Sequence, residues 1–352
     1  MVLGPVMLDL CGTTLTADER ELLQHPGCGG VILFSRNFES VPQLSELVHA
    51  IKSVREPQLL ISVDHEGGRV QRFHGEFTRL PACALLGQCY DEDRRSALQR
   101  AEQAGWLMAA ELRGTGIDFS FAPVLDLDSG ISEVIGDRAF HRQPEPAMQL
   151  ALQYMHGMQR AGMAAVGKHY PGHGAVAADS HHETPVDDRR FEDILLHDLR
   201  VFEHLIINGL PAIMPAHVIY PEVDAQPAGF SHIWLQSVLR GQLGFQGAIF
   251  SDDLGMSGAA VAGDMVARAH AALDAGCDML LVCNNQSGAA AVLAAVGQAV
   301  APATQARLMR MHGRKAMAFN ELQQSPDWQT AVAAVTELDK TPELDLDNDQ
   351  LV

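Results

Sequence analysis

Positive charge is what this sequence has least of: 25 Lys and Arg stand against 44 Asp and Glu among 352 residues, a formal net charge of -19 at pH 7. An acidic chain of this kind is repelled by nucleic-acid backbones and by anionic membrane surfaces, so neither is expected as a partner. Also absent is any apolar run long enough to cross a bilayer. The opening residues, MVLGPVMLDL, have no basic segment and carry Asp9 where an export signal would be apolar, so they read as a first strand. The six cysteines, Cys11, Cys28, Cys83, Cys89, Cys277 and Cys283, form no C-x-x-C pair. Several lie in apolar runs, where a reduced thiol packs as a small hydrophobe, which argues against a disulfide framework or a zinc knuckle. Together these absences point to the cytoplasm.

What is present is enough apolar sequence, close to half of all residues, to bury a sizeable core. Short β-rich apolar runs recur with helix-like stretches between them, the pattern of successive βα units around a parallel sheet. About eight such units can be counted. The strand candidates are Val6–Leu10, Gly30–Phe34, Leu59–Asp64, Phe119–Asp126, Ala164–His169, Ala212–His217, Ala248–Asp252 and Met279–Cys283. Amphipathic stretches between them include Pro42–Val54, Ser96–Arg113, Ala147–Arg160, Phe191–Ile207, Ile233–Leu239 and Ala259–Leu273. The expected fold is α/β, a single (β/α)8 TIM barrel over residues 1–337. The acidic residues 338–352 are expected to form a solvated tail.

The polar residues fall at one end of the strands: Asp64-His65-Glu66, Asp126, Lys168-His169, His217 and Asp252-Asp253. Barrel enzymes carry their chemistry at the carboxyl ends of the strands, because the βα loops converge there on one mouth. Three clusters stand out. In Asp64 to Arg72 a strand delivers a carboxylate, paired glycines allow a sharp turn, and arginines follow; Asp64 is the member best placed to accept from sugar hydroxyls, and a charged surface turn is the competing reading. In Gly167 to Gly174, followed by Asp179-Ser180-His181-His182-Glu183, histidines, a lysine and acids are broken by Pro and Gly, as in a functional loop. Metal binding by His169, His173, His181 and His182 is a rival, although Pro171-Gly172 between the first two keeps them off a shared helical face. In Ile249 to Met256 an apolar strand ends in two adjacent aspartates, and alternation sends one carboxylate into the mouth and the other outward. Spacing leaves open which of the two attacks.

These clusters resemble glycoside hydrolase family 3, in particular its small single-domain β-N-acetylglucosaminidases of peptidoglycan recycling. The stretches that carry the resemblance are DHEGGRVQR, FAPVLDLD, IGDRAF, KHYPGHG, the DSH of Asp179 to His181, MPAHVIYP and FSDDLGM, in order from about Leu8 to Cys283. The resemblance implies Asp252 as nucleophile, and His181 as general acid/base with Asp179 as its partner. It implies that Asp64, Arg72, Arg138, Lys168 and His169 hold a terminal N-acetylglucosamine. His182 stands beside His181, so either ring can supply the acid. Tyr170, where Phe is common, and Asp137 before Arg138 are small departures. The imidazole is chemically apt, because it titrates near neutrality without burial and a neighbouring carboxylate steadies its protonated form. The implied enzyme is a monomer that needs no cofactor and no metal, with a muropeptide saccharide as substrate. A metal-dependent barrel hydrolase and a non-catalytic sugar-binding barrel are the alternatives.

Overall fold

The computed structural model describes residues 2–177, 185–297, 300–314 and 316–338. Eight parallel strands wrap into a barrel: β1 (Val6–Asp9), β2 (Cys28–Leu33), β3 (Leu60–Val63), β4 (Phe119–Ser120), β5 (Val166–Tyr170), β6 (Ala212–Pro215), β7 (Ala248–Asp253) and β8 (Met279–Val282). Each of the eight corresponds to one strand expected from the sequence, and helices fill the intervals. β1 lies between β2 and β8, with Leu8 paired to Val31 and to Val282. The remaining seam, between β4 and β5, is closed by a bridge from Val124 to Lys168 and by Val166 N donating to Ala122 O at 2.7 Å. The architecture is a (β/α)8 barrel.

The expected strand Phe119–Asp126 is regular only over Phe119–Ser120. Pro123 has no N–H to donate to a ladder, so the chain beyond Ser120 pairs through isolated bonds and not as a continuous strand. Two helices also depart from expectation. Phe191–Ile207 is broken at His197 into Phe191–Leu196 and Asp198–Ile207, where the buried Asp198 carboxylate accepts from Arg189 at 2.8 Å. The stretch Ala259–Leu273 becomes a 3-10 turn over Ser257–Ala262, an interruption at Gly263 with φ +102°, and an α-helix over Met265–Ala275 capped by Asp264. A left-handed residue ends the first segment, and the Asp264 side chain satisfies an orphan N–H at the start of the next.

Below the mouth, Phe119 and Phe121 from β4 and its extension meet Phe250 of β7 across the barrel, with ring centroids 5.3 to 5.6 Å apart. All three rings are buried, so they close the barrel beneath the polar strand ends. No helix among the described residues is long and apolar enough to cross a membrane. Leu338, the first residue of the expected tail, is the last residue of a helix, Pro326–Leu338. Residues 339–352 lie outside the described residues, as do Asp179, His181 and His182.

Candidate active site

The sequence after β3 makes a tight hairpin, His65–Gly67 against Val70–Gln71. Gly67 and Gly68 turn it with φ of +108° and +55°, and a Cβ on either would press against Pro81 O at 2.5 Å or Ala82 Cβ at 2.9 Å. Only glycine fits both the dihedrals and the space. Alternation then separates the neighbours. His65 turns inward to Phe73 and Phe77, each 5.7 Å away between ring centroids, and burial pushes its imidazole down to about 3. Glu66 turns the other way, into the mouth.

There Glu66 grips Arg138 with both oxygens, at 2.8 and 2.9 Å, and accepts from Lys168 Nζ at 2.6 Å. Lys168, at the top of β5, also donates to Asp64 Oδ1 at 2.9 Å, and Arg72 Nη2 stands 3.6 Å from Asp64 Oδ2. Burial favours a neutral Lys168, but the anions Asp64 and Glu66 outweigh it and raise its pKa; burial likewise works against the Glu66 charge, and Arg138 and Lys168 hold that carboxyl well below the usual range. Arg69, the other arginine of the motif, is no part of this cluster. It is exposed and binds Asp137 together with the carbonyls of Glu133 and Val134, which fastens the loop carrying Arg138.

His169 Nδ1 lies 2.7 Å from Asp126 Oδ2, and the same carboxylate accepts from the His169 and His173 backbone N–H groups. A carboxylate at Nδ1 makes that nitrogen a donor and sets the orientation of the ring. Asp126 is fully buried; burial alone would raise its pKa, and the imidazoles of His169 and His173 with these hydrogen bonds bring it down.

Across the mouth, β7 carries the two aspartates. Its pairing with β8 sets Phe250 against Met279 but Asp253 against Leu281, so an extra residue interrupts the alternation there. Neither aspartate therefore turns away from the mouth, where alternation would send one of the two outward. Both side chains border the cavity and both are half-buried. They differ in their partners. Asp253 Oδ1 accepts from Gly255 N at 2.9 Å and Cys283 N at 3.0 Å, which ties the ends of β7 and β8 together. Burial pushes its carboxyl up to about 6, with Asp252 and Asp9 adding to the rise. Among the described residues Asp252 accepts one bond, from Asp253 N at 2.8 Å. Burial opposes its charge, but His217, His169 and Lys168 hold it below the ordinary aspartate value, so it is ionised at neutral pH. His217, fully buried behind it, stands 3.1 Å from Asp253 O through Nε2.

Asp64, Arg72, Arg138, Lys168, His169 and Asp252 thus line one cavity of about 280 Å³, whose wall also includes Glu66, His173, Met214 and Met256. That volume is at the small end of ligand sites and suits a single sugar ring better than a chain. The structure brings together every expected site residue that it describes. Glu66, Asp126 and Asp253 stood among the polar strand ends of the sequence, but neither the grip of Glu66 on Arg138 and Lys168 nor the Asp126 support under His169 was expected, although the alternation of the hairpin strand after Asp64 is a signal for Glu66. Among the described residues no three metal-ligating side chains converge.

The sequence pattern of the glycosyl hydrolase family 3 N terminal domain matches residues 6–314, most of the chain. The chain belongs to glycosyl hydrolase family 3. A β-hexosaminidase of Thioalkalivibrio sulfidiphilus is 59% identical over 99% of this chain and 100% of the relative, and one of Methylobacillus flagellatus is 55% identical over 97% and 98%. Among solved structures of the family, NagZ from Neisseria gonorrhoeae in complex with N-trifluoroacetyl-D-glucosamine aligns with a TM-score of 0.91 at 44% identity, covering 96% of this chain and 98% of that one. Family membership gives the clustered carboxylates of this mouth their chemical context: glycoside hydrolases act on the anomeric carbon through acidic side chains.

Proposed function

We propose that this chain is an exo-acting, retaining β-N-acetylglucosaminidase that removes terminal N-acetylglucosamine from peptidoglycan fragments such as GlcNAc-1,6-anhydro-MurNAc and its peptides, in the cytoplasm and as a monomer. The observation that carries this reading is geometric: Asp252 borders a cavity of about 280 Å³ whose wall also carries Asp64, Arg72, Arg138 and Lys168. The full-length likeness to proteins named β-hexosaminidase and to a NagZ bound to an N-acylated glucosamine supports the choice of sugar.

In this reading Asp252 attacks the anomeric carbon and forms a glycosyl ester, which water later opens for net retention. Asp64 accepts from sugar hydroxyls while Arg72, Arg138 and Lys168 donate to them, and His169, held by Asp126 through Nδ1, presents its other ring nitrogen. His181, with Asp179 as partner, protonates the leaving oxygen and then activates the water. These two come from the family resemblance; of the segment that joins them to the site, His173 lines the cavity and Pro185 is bound by Ile219 N at 3.0 Å.

The direct test is turnover of the anhydro-disaccharide, with the products identified in buffers with and without phosphate. Free N-acetylglucosamine in both buffers supports the reading. No release from this substrate or from an aryl N-acetyl-β-glucosaminide defeats it, and a sugar 1-phosphate would make the enzyme a phosphorylase.

A further inference from the structure

We propose that Glu66 is a positioning residue for sugar binding, which decides the direction in which Arg138 and Lys168 present their donors to the cavity. The inference rests on the reading of that cavity as an N-acetylglucosamine site.

The donor count carries the argument. An ammonium has three N–H groups and a guanidinium five. Lys168 places one on Asp64 Oδ1 and one on Glu66 Oε1, so a single N–H is left. Arg138 spends Nε and one Nη2 hydrogen on Glu66 and one Nη1 hydrogen on Val134 O. Two N–H groups remain, one on Nη1 and one on Nη2. Glu66 is itself 4% exposed and its oxygens are taken, so its effect on a ligand passes through these two cations.

Removing the charge changes more than packing. Arg138 would then be left with Asp126 and Asp64 as anions, and Lys168 with Asp64 and with Asp252, on which it already acts electrostatically. An ammonium drawn onto Asp252 would both vacate its place against the sugar and mask the nucleophile. Glu66 holds it away. Four charged groups act on the Lys168 amine, Asp64, Glu66, Asp252 and Arg138; the carboxylates favour its proton while Arg138 opposes it.

The experiment uses the full chain with Glu66→Gln and Glu66→Asp, an aryl N-acetyl-β-glucosaminide as substrate and free N-acetylglucosamine as competing ligand. For Glu66→Gln the KM and the N-acetylglucosamine inhibition constant should rise together by about tenfold or more. The alkaline limb of kcat/KM should also move to lower pH, because Lys168 loses an anion that keeps it protonated. Glu66→Asp keeps the charge but not the reach; KM should rise while the alkaline limb stays in place. A merely structural role would lower the melting temperature without moving that limb. Wild-type values of KM and inhibition constant in Glu66→Gln overturn the proposal, as does a fall in kcat with KM unchanged. If Glu66→Gln does not fold, Glu66→Asp decides alone, and a KM within about twofold of wild type refutes it. Inactivity of the wild-type enzyme would instead sink the function proposed above, before any variant is made.

Discussion

Replacing Asp253 by Asn separates the two adjacent aspartates by stability as well as by rate. Raising a carboxyl from 3.8 to about 6 costs the folded protein about 3 kcal/mol once the group is ionised in both folded and unfolded states. The sign follows from which state holds the proton. Between about pH 4 and pH 6 the folded chain keeps a proton that the unfolded chain has lost, so wild-type stability declines through that window as pH rises. Asn carries no such charge, and its amide oxygen can still accept from Gly255 N and Cys283 N, as the oxygen of the protonated carboxyl does. The variant should therefore be more stable than wild type by about 3 kcal/mol at pH 7, with the difference vanishing near pH 4. Urea unfolding of both proteins at several pH values measures this directly, because carboxylates common to the two cancel in the difference. Activity supplies the second half. Asp253→Asn should retain most turnover, and Asp252→Asn should lose on the order of a thousandfold or more, since an amide cannot attack the anomeric centre. A stability difference that stays constant from pH 4 to pH 7 would refute the raised carboxyl, and equal rate losses in the two variants would refute the division of labour.

A slow fluorinated glycoside should trap a covalent adduct that peptide mapping assigns to the segment with Asp252; an adduct on Asp253, or inverted product with no adduct, defeats the nucleophile assignment. His181→Ala and Asp179→Ala should slow substrates with sugar leaving groups far more than activated aryl glycosides, which depart without a proton. Equal losses would point to a structural role, and the differential effect in His182→Ala alone would move the acid one residue along. Asp64→Ala, Arg138→Ala and Lys168→Ala should raise KM and lower kcat together. Of these, Lys168→Ala should also cost about 3 kcal/mol in denaturant unfolding, because its ammonium is 3% exposed and compensates two carboxylates. Chelator treatment should leave turnover unchanged; loss restored by a divalent metal would favour the metal-dependent alternative.

The sequence by itself determined where the strands lie and which end of them is chemical. Val63 to Asp64, Gly167 to His169 and Phe250 to Asp252 each pass from apolar to ionisable within a few residues, and apolar periodicity is a local property that needs no knowledge of the rest of the chain. The motif glycines were legible for the same reason, since a turn at Gly67-Gly68 is a demand of the backbone alone. What the residues bind was decided elsewhere. Glu66 meets Arg138 across 72 positions and Asp64 meets Lys168 across 104, contacts that exist only because the barrel brings successive strand ends to one mouth. The roles of the paired aspartates likewise depended on tertiary structure. Simple alternation sent one of the two carboxylates outward, but the extra residue opposite β8 kept both at the mouth and set Asp253 against the N–H groups of Gly255 and Cys283, and no pattern along β7 reports how its neighbour strand pairs. Local sequence encodes which face of an element is apolar; the ion pairs, the burial and so the protonation of each group are set by partners that folding alone assembles.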